Sequence, residues 1–187
     1  MAKDQHIVDR GCVLRRHAVL VGLMGAGKSA IGRRVATRIG ARFLDADTEI
    51  EKAAGMSIPD IFAVHGEEEF RQGERRVIAR LLGEQPFVLA TGGGAYMDAG
   101  TRALLKEGAT TVWMRADLDV LVRRCAKRSN RPLLRGGDPR AILDALMRER
   151  YPVYAEADVI VDSRDEPHEI AVGAVIDALV ARGDLVR

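Results

Sequence analysis

Cysteine is scarce in this 187-residue chain, with only Cys12 and Cys125. Two thiols cannot build a disulfide framework, and they show no metal-ligand spacing, so the expectation is a reducing, cytoplasmic setting with Cys125 buried and inert on a helix. An excess of one charge is also lacking. Lys and Arg number 29 against 27 Asp and Glu, and a net charge of +2 makes no case for a nucleic-acid or anionic-membrane partner. No apolar run approaches the roughly 18 residues of a membrane span. Arg15-Arg16 precede an apolar stretch, but it is short and runs into Lys28 without a small-residue cleavage site, unlike an export signal. Lysine is rare as well. Of the 29 basic residues five are Lys and 24 are Arg, the side chain whose planar fork grips carboxylates and phosphates. What remains is 47% apolar and 30% charged residues, the balance of a globular chain long enough for one well-buried core and too short for two ordinary domains.

Residues 1–16 are polar, mixed in charge and without period, and read as a mobile extension, so order is expected from His17. Five short apolar runs read as strands: Ala18 to Val21, Phe43-Leu44, Phe87 to Ala90, Thr110 to Met114 and Val159 to Val161. Helical segments separate them. Ile31, Val35 and Ile39 give one helix an apolar face, with Gly40 placed to cap it, and Ser57 with Pro59 opens another segment. Phe70, Val77, Ile78, Leu81 and Leu82 mark the inner face of a longer one. Strands alternating with helices imply an α/β fold, a parallel sheet with helices on both faces. Between residues 127 and 139 the pattern breaks into the Arg- and Gly-rich stretch "RSNRPLLRGGD".

Gly22-x-x-x-x-Gly27-Lys28-Ser29 matches the P-loop pattern GxxxxGK[ST] in full, between a strand and an amphipathic helix. Its glycines let main-chain N–H groups turn inward around a phosphate chain, so Gly25, Ala26, Gly27, Lys28, Ser29 and Ala30 are candidate nucleotide-binding residues. Lys28 reaches the β and γ oxygens, and the Ser29 hydroxyl takes one Mg²⁺ position. The strand "FVLAT" ends in glycines, so the carboxylates available for a metal belong to "DAD", Asp45 to Asp47. If the backbone stays extended there, Asp45 and Asp47 aim the same way. Asp45 then anchors Mg²⁺ through water and Asp47 faces an acceptor; the alternative is a solvated turn in which Asp47 caps the next helix.

At this point the sequence resembles the shikimate kinase family. The matching stretches are "GLMGAGKSAIGRRVA", "FLDADTEIE", "GMSIPDIFAVHGEEEFRQGE", "VLATGGGA", "RPLL" and "RERYPVYAEAD", and the resemblance covers roughly residues 17–182. The resemblance implies a nucleoside-monophosphate-kinase-like P-loop fold of three α/β/α layers in residues 17–187, with a five-stranded parallel sheet, a mobile lid near 127–139 and an acceptor-binding subdomain. It implies transfer of the γ-phosphoryl of MgATP to the 3-hydroxyl of shikimate, in aromatic amino acid biosynthesis, by a monomer.

Shikimate carries a carboxylate, three hydroxyls and a small ring, so its site needs a cation fork, hydroxyl acceptors and an apolar wall. Arg71 offers the fork, and the resemblance pairs it on the carboxylate with Arg150. It also sets Asp47 against the ring hydroxyls, to orient the attacking oxygen and accept its proton. Glu74 is placed to hold Arg71 as an i, i+3 partner. Gly92, Gly93 and Gly94, at the carboxyl end of a strand, lie where parallel sheets bind ligands and let main-chain N–H groups come close. Ile58, Phe62 and Phe70 read either as apolar wall or as core. The resemblance makes Arg131, in the lid, an arginine-finger-like residue, and sets Arg124 and Pro167 about the adenine; Arg124 reads equally as a solvated helix residue. Competing readings are a kinase of another polyol such as gluconate, a nucleoside monophosphate kinase, and an inactive nucleotide-binding module. The last predicts damage at Lys28, Asp47 or Arg131, and all three are intact.

Overall fold

A computed structural model describes residues 11–126 and 137–186. The chain runs β1 (Val13–Leu14), β2 (His17–Val21), α1 (Lys28–Ile39), β3 (Arg42–Asp45), α2 (Ala46–Ala54), α3 (Ile58–Leu81), β4 (Phe87–Ala90), a 3-10 turn (Ala95–Met97), α4 (Ala99–Gly108), β5 (Ala109–Arg115), α5 (Leu118–Ala126), α6 (Pro139–Tyr154), β6 (Val159–Asp162), α7 (His168–Ala181) and β7 (Leu185–Val186). The five strands read from the sequence form one sheet in the order β3-β4-β2-β5-β6. Every neighbouring pair in it is parallel. β2 and β4 are buried along their whole length, which is why they read as continuous apolar runs rather than as alternations.

Strand order positions the site. The chain leaves β2 toward β3, on one side, and afterwards moves only the other way, from β3 to β4, β5 and β6. Right-handed crossovers therefore put α1 on one face, where α7 joins it, and α2 to α6 on the other. The loop after β2 turns to one face while the loop after its neighbour β4 turns to the other. The crevice between them, at the carboxyl ends, is where open parallel sheets take ligands. Its two lips are the P-loop and the glycine triplet.

Local signals account for the helix ends. Gly40 takes a left-handed conformation (φ 70°) and its N–H closes α1 on Ala36 and Thr37 carbonyls. The Ser57 side chain accepts from the Asp60 N–H, opening α3. Within α3, Gly66 (φ 77°, ψ 178°) kinks the axis, and beyond it Phe70, Val77, Ile78 and Leu81 are buried as the apolar spacing predicts.

Two expectations need correction. Order does not start at His17: Val13 and Leu14 pair antiparallel with Val186 and Leu185, and the Arg15 N–H donates to the Asp184 carbonyl at 2.8 Å. The extension read as residues 1–16 thus loses its last part to a small second sheet. A two-residue strand shows no period, and its partner lies at the far end of the chain. Residues 1–10 lie outside the described residues. At the other boundary, α6 already begins at Pro139, capped by the Asp138 carboxylate, so residue 139 belongs to a helix and not to the stretch read as a lid. Residues 127–136 lie outside the described residues. Among the described residues no helix is long and apolar enough to cross a membrane.

Candidate active site

The P-loop takes its shape from glycines that no other residue could replace without strain. Gly22 has φ 134°, and a Cβ there would stand 2.8 Å from the Met114 carbonyl oxygen of β5. Gly27 is the N-cap of α1 at φ 92° and supplies no capping side chain. No side chain caps the start of this 12-residue helix, and its positive end suits a phosphate. Lys28 is buried, and its Nζ donates to the Gly22 and Leu23 carbonyls at 2.8 and 3.0 Å, folding the loop around itself.

Ser29 Oγ donates to Asp45 Oδ2 at 2.8 Å, joining the loop to the end of β3. The chain does not stay extended there. β3 ends at Asp45 and α2 starts at Ala46, with Asp45 as its N-cap accepting from the Asp47 N–H at 3.2 Å. Asp45, not Asp47, is thus the capping residue. The two carboxylates still share one cleft, because the cap turns Asp47 inward in the first helical turn. Gly92 makes room: a Cβ on it would come within 2.9 Å of Asp47 Oδ1. Asp47 remains open to the cleft, yet burial on its protein side pushes its carboxyl above the usual aspartate range, as does the neighbouring Asp45 charge. Lys28 and Arg71 pull it back down.

The glycine triplet brings the two acceptor-side arginines together. Arg71 Nη1 donates to Glu74 Oε2 at 2.6 Å, the i, i+3 partnership read from the sequence, and Glu67 lies at 3.5 Å from Nη2. The guanidinium packs so closely on Gly94 that a Cβ there would sit 2.2 Å from Nη2. Arg150 Nη1 donates to the Gly93 carbonyl at 3.2 Å. Glu74 is 1% exposed, and burial raises its carboxyl above the ordinary glutamate value despite the Arg71 charge beside it. Its Oε1 has no hydrogen-bond partner among the described residues. Phe70 is buried under Arg71 and pairs with the partly exposed Phe62 at 4.5 Å between ring centroids, so Phe70 belongs to core and wall at once.

A cleft of about 660 Å³ runs from Lys28 and Ser29 to Asp47, Gly92 and Gly93 and on to Arg124 and Pro167, while Arg71, Gly94 and Arg150 are not part of its lining. Arg124 is not simply solvated. It donates to Gly25 O at 3.4 Å, to Ser163 Oγ at 2.8 Å and to the Arg164 carbonyl, tying the P-loop to the loop after β6. Pro167 is the N-cap of α7. Arg131 lies outside the described residues.

Against known proteins, the family model for shikimate kinase matches residues 24–180. Over 170 residues the chain is 57% identical to the shikimate kinase of Paramagnetospirillum magneticum, a match covering 91% of this chain and 87% of that protein. The chain belongs to the shikimate kinase family. The shikimate kinase of Caulobacter vibrioides is 58% identical over 161 residues, covering 86% of this chain and 80% of that one. Among solved structures, the shikimate kinase from Acinetobacter baumannii in complex with shikimate aligns at a TM-score of 0.83 and 34% identity, over 89% of this chain and 94% of that one. A gluconokinase from Sinorhizobium meliloti aligns at 0.64 and 18% identity, over 90% and 94% respectively, which shows a shared fold alone.

For a member of the shikimate kinase family, sequence reading missed two groups near the site. Ser163 holds Arg124, and its only signal is a small polar residue following a strand. Tyr154, fully buried, donates its hydroxyl to the Gly93 carbonyl. Its signal was the "RERYPVY" stretch, in which Arg150 and Tyr154 stand one helical turn apart.

Proposed function

We propose that this protein transfers the γ-phosphoryl group of MgATP to the 3-hydroxyl of shikimate, with Asp47 as the group that orients that hydroxyl and accepts its proton. The observation carrying this reading is the setting of Asp47. Its carboxylate lies in one cleft with the P-loop lysine, feels the charges of both Lys28 and Arg71, and rests against Gly92 at the crevice of the sheet.

The main-chain N–H groups from Gly25 to Ala30 hold the phosphate chain, and Lys28 stabilises charge on its terminal oxygens. Arg124 and Pro167 flank the adenine, and Arg131 spreads charge on the transferred group. On the acceptor side, Arg71 and Arg150 take the carboxylate of shikimate beside the glycine triplet, with Ile58, Phe62 and Phe70 along its ring. Distance between carboxylate and reacting hydroxyl lets these cations set affinity without entering the chemical step. Mg²⁺ fits the hydrogen-bonded oxygen pair of Ser29 and Asp45, two hard donors at the mouth of the P-loop. When bound there it neutralises phosphate charge.

Two measurements test the reading. Coupled assay of ADP release with shikimate, gluconate and AMP as separate acceptors is expected to show turnover with shikimate well above the other two; faster release with gluconate or AMP overturns it. Asp45→Asn is expected to raise the Mg²⁺ concentration for half-maximal activity by about 10-fold or more, the usual effect of a weakened metal shell. An unchanged Mg²⁺ titration removes Asp45 from the metal site.

A further inference from the structure

All three tyrosines of the chain and its single tryptophan gather behind the glycine triplet. Tyr154 is common to most of their contacts, with ring centroids 6.2 Å from Tyr96, 6.0 Å from Trp113 and 6.3 Å from Tyr151. It is 0% exposed. Phenylalanine would fill this volume equally well and would not bring a polar atom into the core, so the hydroxyl needs a separate reason. That reason is the Gly93 carbonyl, to which it donates. Arg150, one turn earlier on α6, donates to the same oxygen at 3.2 Å. Two donors fill both lone pairs of this carbonyl.

The consequence falls on the triplet. Glycines have no side chain to anchor them and the widest backbone freedom of any residue. Among the described residues Gly92 and Gly94 are hydrogen-bonded only through their carbonyls, which accept from the Ala95 and Met97 N–H groups at 3.2 and 3.0 Å. The N–H groups of Gly92, Gly93 and Gly94 donate to no described residue, so they are left for a ligand. Fixing the Gly93 carbonyl fixes a planar peptide and with it the Gly94 N–H, which points the opposite way. The same oxygen also anchors the Arg150 fork.

We infer that Tyr154 is a positioning residue for the acceptor: by sharing the Gly93 carbonyl with Arg150, its hydroxyl sets the free glycine N–H groups and the guanidinium in one fixed arrangement. Burial raises the phenol well above its ordinary pKa, so the hydroxyl stays a donor at every pH at which the enzyme works. The inference rests on the acceptor reading above.

The test compares Tyr154→Phe with Tyr151→Phe. The partly buried Tyr151 also donates its hydroxyl to a carbonyl, that of Ala116, away from the triplet. Both variants lose one hydroxyl and keep the ring. Loss of the Tyr154 hydroxyl still leaves the Gly93 carbonyl paired with Arg150, so the fold keeps no orphaned acceptor there. Tyr154→Phe is expected to raise KM for shikimate about 3- to 10-fold, the scale of one neutral hydrogen bond, with kcat and KM for ATP within about 2-fold of the parent. Tyr151→Phe is expected to leave both KM values unchanged. An unchanged shikimate KM in Tyr154→Phe, an equal rise in its ATP KM, or the same rise in Tyr151→Phe each overturns the positioning role. Failure of the parent protein itself to phosphorylate shikimate would instead strike the acceptor reading.

Discussion

Asp47→Asn is expected to lower turnover by about 10²-fold or more, the scale of a positioned proton acceptor, while ATP affinity stays near that of the parent. Asparagine keeps the size and one acceptor oxygen but cannot take the proton. The phosphate-binding groups, the P-loop N–H donors and Lys28, are untouched by the change. Normal turnover in the variant would remove Asp47 from the chemistry. The pH dependence carries a second signature. Burial and the Asp45 charge raise the Asp47 carboxyl above the ordinary aspartate value, so activity is lost as pH falls through that raised value, at a higher pH than an exposed aspartate would give.

The same shift works against stability. Folded protein binds the Asp47 proton more tightly than unfolded protein, so the favourable contribution is fully present below the unfolded pKa and is lost as pH rises through the folded one. At neutral pH the ionised carboxylate is therefore a cost, which asparagine avoids. Asp47→Asn is expected to melt no lower than the parent at pH 7, with any advantage vanishing in acid. A clear loss of melting temperature at neutral pH would mean that Asp47 holds the fold together rather than serving the site.

How much of this was legible follows from how far apart the cooperating residues stand in the chain. The P-loop was read in full because its parts act through local spacing, and Glu74 was matched to Arg71 because three residues make one helical turn. The "DAD" run gave the right convergence by a wrong route. Two carboxylates on an extended strand would share a side, but β3 stops at Asp45, whose own carboxylate caps α2 through the Asp47 N–H and turns the second carboxylate inward. A capping residue and a strand end look alike in sequence. Arg124 remained open between solvent and nucleotide, because its three acceptors come from two loops distant from it. The grip of Tyr154 and Arg150 on Gly93 spans 61 and 57 residues, beyond the reach of any local pattern. Pairing of Val13 and Leu14 with the other end of the chain was hidden for the same reason.

Gly94→Ala is expected to raise KM for shikimate about 10- to 100-fold, the range set by losing a hydrogen bond to a charged group, and to lower the melting temperature as well, because it takes the cation from the buried Glu74 carboxylate. A Cβ at this position would stand 2.2 Å from Arg71 Nη2, 2.8 Å from its Cζ and 3.0 Å from Nη1. Every one of those atoms belongs to the end of a flexible side chain, and none to the backbone. The backbone needs no change either, since Gly94 has φ −99° and ψ −15°, a conformation open to alanine. The methyl is thus accommodated by swinging the guanidinium aside, away from the Glu74 carboxylate that holds it at 2.6 Å. The fold survives, less stable, and the fork moves. Arg71→Ala, which removes the fork outright, is expected to raise the same KM at least as much, and neither variant should alter KM for ATP. Should Gly94→Ala bind shikimate normally while Arg71→Ala does not, the guanidinium can reach the carboxylate from another rotamer, and its packing on Gly94 does not set the site. Should both bind normally, the acceptor carboxylate lies elsewhere, and the role of Arg71 as its fork is wrong.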